Sequence, residues 1–145
     1  MKIPEYVTKE EVRKVCRMLK IRDWTALREA KVLPSEARKI QGALQIKGMK
    51  IPLVDFLQGL EVELEHGVRF HDANVTNNHP LLTGKIVLAH FKESLHYYKL
   101  LEVAELEGDM QKAAVAGDAK KLLAKYRKQV KAQLILSRAA SGQMK

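Results

Sequence analysis

The chain has 145 residues, 46% of them hydrophobic, and a formal net charge of +9, which suits one domain large enough to bury its own core. Its single cysteine, Cys16, excludes an internal disulfide and a cysteine-built zinc site. The N-terminal MKIPEYVTKEE has no apolar leader and no apolar run reaches a membrane-spanning length, so a cytoplasmic or virion-associated protein is expected, not one secreted by a signal peptide and not one in a membrane.

The charge is unevenly spread. Residues 1–50 carry 13 Lys/Arg against 6 Asp/Glu, residues 51–110 carry 4 against 10, and residues 111–145 carry 9 against 1. Basic ends suit nucleic acid or an acidic protein partner. All five histidines, His66, His71, His79, His90 and His96, fall in the acidic middle.

Taken in order, the chain predicts an all-α fold: a compact multi-helix domain with a long basic C-terminal helix. Thr8-Lys9-Glu10-Glu11 reads as a capping box opening a helix that buries Val12, Val15, Cys16 and Leu19. Asp23-Trp24-Thr25 and Pro34-Ser35-Glu36 look like two further starts, the second leading through Ala37, Ile40, Ala43 and Leu44 to Gly48. Pro52 opens an amphipathic helix with the stripe Leu53, Phe56, Leu57, Leu60 and Leu64, which Gly67 is expected to end.

A polar, asparagine-rich loop follows to His79, with Asn78 as the expected N-cap of a helix from Pro80. That helix is apolar nearly all round, with Lys85 and Lys92 on its wet side, so it should be central and His90 should be buried. Ser94 can cap the next, in which Tyr97, Leu100, Leu101 and Ala104 share a face, leaving Tyr98 half exposed. Gly108-Asp109 and Gly117-Asp118 read as breaks. Asp118 should cap a last helix to about Ala140, with Leu122, Leu123, Tyr126, Val130 and Leu134 as its apolar stripe. The expected organisation is one helical domain over 1–145: a basic helical region at 1–50, a central module at 51–108 and a basic helical extension at 109–145.

The strings Phe56-Leu-Gln-Gly-Leu-Glu-Val-Glu-Leu-Glu-His66-Gly67, Asn74-Val-Thr-Asn77, Pro80-Leu-Leu-Thr-Gly-Lys-Ile-Val-Leu-Ala-His90 and Tyr97-Tyr98 resemble a functionally uncharacterised family of small helical proteins from bacteria, archaea and DNA viruses, phages included. The resemblance covers about residues 53–106. It implies a shared helical module and a viral or prokaryotic source, and no activity. His79 and Leu95-His96 depart from the family pattern.

Two constellations could carry chemistry. Glu63-x-x-His66 and His90-x-x-Glu93 each place a carboxylate and an imidazole one helical turn apart. Facing one another, Glu63, His66, His90 and Glu93 would suit iron, manganese or zinc. The competing reading needs no cofactor and makes His66, Thr83 and His90 a structural polar network. The second constellation is the lysine row Lys120, Lys121, Lys125, Lys128 and Lys131, which would contact phosphates or an acidic partner.

No serine stands in a nucleophile elbow and Cys16 has no histidine nearby in sequence, so catalysis is not predicted. The sequence therefore points to a non-enzymatic binding or structural protein, phage- or virus-derived and a component of a larger assembly in one version, with a metal-binding helical protein as the alternative.

Overall fold

The computed structural model describes residues 6–143; part of the N-terminal stretch read as lacking a leader lies outside them. Six α-helices follow in order: α1 (Lys9–Leu19), α2 (Pro34–Ala43), α3 (Leu53–Arg69), α4 (Pro80–Glu93), α5 (Tyr97–Val115) and α6 (Ala119–Gln143). Two short 3-10 turns, Trp24–Ala26 and His71–Ala73, lie between them, and the described residues include no strand. The fold is all-α, with a long basic last helix. Contacts gather in two units, Met1–Lys92 and Glu93–Lys145.

In the first unit α1 starts where the Thr8 hydroxyl accepts the Glu11 N–H at 3.2 Å. Its apolar face buries Val12, Val15 and Cys16. Asp23 also caps as expected, taking the Thr25 N–H at 2.9 Å, but what it opens is a single 3-10 turn that sinks Trp24 completely. In the first turn of α2, the buried carboxylate of Glu36 accepts from the Leu33 N–H (3.0 Å) and from the Arg22 N–H (3.0 Å), Nε (2.9 Å) and Nη2 (2.7 Å). One side chain thus starts the helix and fastens the incoming connector to it.

The stripe of α3 packs as its spacing requires: Phe56, Leu60 and Leu64 are buried, with Leu53 and Leu57 at its half-buried edge. Each fully buried member contributes roughly 1.5–3 kcal/mol. Gly67 does not end α3, which runs on to Arg69. Its hydrogen instead makes room for the loop: a β-carbon there would overlap Asn78 Oδ1 and lie 2.9 Å from Asn74 Nδ2. Gly84 does the same for α4, where a β-carbon would come within 2.7 Å of Leu44 and 3.0 Å of Ile40.

The second unit is a helical hairpin. Gly117, at φ +67°, makes the left-handed turn, and Asp118 Oδ1 caps α6 through the Lys121 N–H at 2.9 Å. Gly108-Asp109 is no break, since α5 passes straight through it. α5 buries Tyr98, Leu106 and Ala113, and α6 buries Gln129 and Ala132. Two polar contacts tie the helices: Lys125 Nζ to Asp109 Oδ2 at 2.5 Å and Gln129 Nε2 to Glu107 Oε1 at 3.3 Å.

Most of the apolar stripe expected to pack α6 therefore points away from α5: Leu123, Tyr126, Val130 and Leu134 are exposed, and Leu122 is half-buried. The face that α6 turns to α5 instead carries Gln129, Ala132 and half-buried Lys125. The tyrosines exchange their expected places as well, Tyr98 being buried and Tyr97 half-buried, with rings edge to face at 5.2 Å.

Candidate functional site

The histidine window resolves into separate environments. Glu63 on α3 and His90 on α4 meet, Oε1 to Nε2, at 3.4 Å. His90 is half-buried, not buried, with exposed Ile86 and Ala89 beside it on the helix. His66, one turn beyond Glu63, is exposed, and Glu93 is exposed at the last position of α4. No group of three or more His, Cys, Asp or Glu among the described residues is arranged to hold a metal ion.

Thr83 is buried, and its hydroxyl donates to the His79 carbonyl one turn back at 3.0 Å, within α4. Of His66, Thr83 and His90, the structure thus directs Thr83 to its own helix, His90 to Glu63 and His66 to the surface. Glu61, a further carboxylate near this end, accepts the Val32 N–H at 3.0 Å and faces Lys31 Nζ at 3.8 Å.

His79 has a role that its place in a polar loop concealed. It is buried, its carbonyl accepts the Thr83 N–H at 2.9 Å, and its Nδ1 accepts the Leu81 and Leu82 N–H groups at 3.2 and 3.3 Å. His79 is the N-cap of α4, in place of Asn78. An Nδ1 acceptor requires the neutral ring with its proton on Nε2. Burial lowers the histidine's pKa below its ordinary value, against a smaller opposing pull from Glu11. Histidine is uncommon as a cap, so its position next to Pro80 was the available signal.

The asparagines form a hydrogen-bonded knot. Asn74 Nδ2 donates to Gly67 O (3.0 Å) and Asn78 Oδ1 (2.9 Å), Asn77 Nδ2 to Val7 O (2.6 Å), and Asn78 Nδ2 to Trp24 O (3.4 Å). Asn77 and Asn78 both adopt positive φ, 48° and 61°, a region asparagine tolerates better than most residues. A polar pocket opens beside the knot, with Lys9 and His71 on its rim. The three amide groups facing it already donate within the protein.

α6 presents a different surface. Between Ala119 and Gln143 it has seven Lys/Arg and no Asp/Glu. Of these seven cations Lys125 pairs with Asp109, and it holds the Asp109 carboxyl below its usual range. Lys125 is half-buried toward α5. Lys128 and Lys131 face Glu102 and Glu105 across the groove between the helices. Lys120, Lys121, Lys128 and Lys131 are exposed.

At 100° per residue, Lys120, Arg127, Lys131 and Arg138 fall on one side of α6. This row runs about 27 Å, most of one turn (about 34 Å) of a B-form duplex. Arg127 and Arg138 were missed by reading lysines alone; their spacing of seven from Lys120 and Lys131 was the signal.

Residues 12–107 match a family described as a protein of unknown function (DUF5661), and the chain belongs to that family. The matched segment starts inside α1, well before the 53–106 stretch in which the resemblance was seen, so the N-terminal helices are part of the family region. It stops within α5 and leaves α6 outside. No curated protein and no solved structure matches the chain significantly. No helix among the described residues is long and apolar enough to cross a membrane.

Proposed function

We propose that this is a non-enzymatic binding protein that docks on nucleic acid through α6. The observation carrying this reading is a 25-residue helix with seven cations, no acid and one internal ion pair. Such a helix repels itself unless a polyanion or salt shields it, and replacing condensed counterions on phosphates drives association without any base contact. The row Lys120, Arg127, Lys131 and Arg138 supplies the contacts, and the two arginines grip phosphate oxygens bidentately. Buried Cys16 adds no competing chemistry, since burial pushes its thiol pKa up.

The reading is tested by retardation of duplex DNA and of RNA across a salt series. Binding should be tight in low salt, with log K falling linearly against log salt, and replacing the four row residues by Gln should flatten that line. Absence of retardation of either nucleic acid in low-salt buffer overturns it, and retention on an immobilised acidic polypeptide would then identify an acidic protein as the partner.

A further inference from the structure

We propose that the trough between α2 and the connector that follows it binds a nucleotide, with the base on its apolar wall and the phosphate on Arg38 and Lys50. Arg38, Gln41 and Gly42 share one face of α2 at spacings of three and four. Gln45 (φ 47°) and Gly48 (φ 78°) are both left-handed and fold the connector back along that face. Gln41 Nε2 fastens it there by donating to the Ile51 carbonyl at 3.0 Å, which sets Lys50 beside the turn of α2 that carries Arg38. Half-buried Ile46, Met49 and Ile51 line the same trough, an open space of about 530 Å³.

The chemistry of the lining selects the ligand. Residues 37–54 carry Arg38, Lys39, Lys47 and Lys50 and no Asp or Glu, and the lining residues of the trough include no acid. The preceding acid, Glu36, is buried and held by Arg22. An inorganic anion would satisfy the two cations and leave Ile46, Met49 and Ile51 to water. A fatty acid would cover those side chains but offer no donor to the Gln45 amide or to the carbonyl end of α2. A nucleobase meets both needs, with apolar faces for aliphatic and thioether side chains and a hydrogen-bonding edge for amide and carbonyl groups. Adenine or cytosine, whose edge carries an amino group, fits these acceptors best, and the attached phosphate supplies the anion for Arg38 and Lys50. The nucleotide can be free or part of a strand. The trough lies within the first unit and needs nothing from α6, so the proposal does not rest on the reading of that helix.

The test follows the Met49 methyl resonance in the full chain labelled at its methionine methyl groups, titrated with AMP, with a short single-stranded oligoadenylate and with inorganic phosphate. A base on the wall should shift Met49 saturably and leave Met18 and Met110 in place. Saturation by AMP identifies a free nucleotide, and a shift with the oligoadenylate alone identifies a nucleotide within a strand. Replacing Arg38 and Lys50 together by Gln should weaken binding at least about tenfold, as expected for lost charge-assisted hydrogen bonds. Gly42→Leu should abolish it: a β-carbon at that position meets nothing within 4 Å, so the helix is kept while the new side chain fills the trough. Circular dichroism checks that both variants fold. A Met49 resonance unmoved by either nucleotide, a shift that inorganic phosphate reproduces, or unchanged binding in folded Gly42→Leu protein would overturn the proposal. Retardation of nucleic acid with Met49 unmoved would overturn it and leave the reading of α6 standing.

Discussion

Gly67 of α3 lies so close to Asn78 that a β-carbon on the glycine would overlap the Asn78 Oδ1, and the same glycine's carbonyl accepts a hydrogen bond from Asn74 at 3.0 Å. The helix end and the asparagine knot are therefore one packed unit. Gly67→Ala should destabilise the protein by about 1–3 kcal/mol, the usual cost of an added methylene in a tight site. Urea unfolding measures it. Gly108→Ala is the matched control: a β-carbon there meets nothing within 4 Å, and α5 should gain about 0.5–1 kcal/mol from the better helix former.

The Arg22–Glu36 pair predicts an acid-sensitive joint. Burial alone would raise the Glu36 pKa, but the Arg22 guanidinium and the Leu33 and Arg22 N–H groups outweigh it and bring it below its ordinary value. A depressed folded pKa means that stability is present above the unfolded value, about 4.3, and is lost as pH falls through the folded one. Glu36→Gln should cost on the order of 3 kcal/mol, at the low end for a broken buried pair because Arg22 still reaches water. The variant's melting temperature should also vary less with pH below about 4.3 than that of the parent chain.

His79 predicts a second window at milder pH. Its folded pKa lies below the unfolded value of about 6.5, so the unfolded chain binds the proton more readily. Stability from this group is complete above that value and declines as pH falls below it. Protonation would also remove the Nδ1 acceptor and place a cation at the positive end of α4. His79→Asn keeps an acceptor without titrating, so its melting temperature should fall less than the parent's as the solution is acidified below about 6.5. His79→Ala should lose about 1 kcal/mol at neutral pH. Equal pH dependence in parent and Asn variant would refute the assignment.

Local chemistry was the legible part of this fold. Thr8 and Asp118 are helix starts, and the Phe56–Leu60–Leu64 stripe is a core face, because capping and periodicity depend on residues a few positions apart. What the sequence could not show was which surfaces meet. Gly67 near a helix end reads equally as a stop or as a close approach, and only the position of Asn78 decides. The apolar stripe of α6 was legible as a stripe, but α5 packs on the face that carries Lys125, Gln129 and Ala132, leaving Leu123 and Tyr126 outside. Glu63 and His90, 27 residues apart, meet through the pairing of α3 with α4, whereas Glu63-x-x-His66 spacing said nothing of His66's exposure.

Two lysines on the same helix give the sharpest separation between a charged surface and a binding surface. Lys125→Gln and Lys131→Gln remove the same formal charge, yet Lys125 is held by Asp109 at 2.5 Å on the α5 side while Lys131 is exposed in the row with Arg127 and Arg138. If α6 binds phosphates through that row, Lys131→Gln should reduce the log–log salt slope of duplex binding by about 0.9, the value of one phosphate contact. Lys125→Gln should leave the slope unchanged and show instead as a lower melting temperature, through loss of an interhelical contact. Exposure limits that loss to well under the cost of a buried pair. Equal slopes in the two variants would mean that net charge alone drives association, and the row from Lys120 to Arg138 would then have no special part in it.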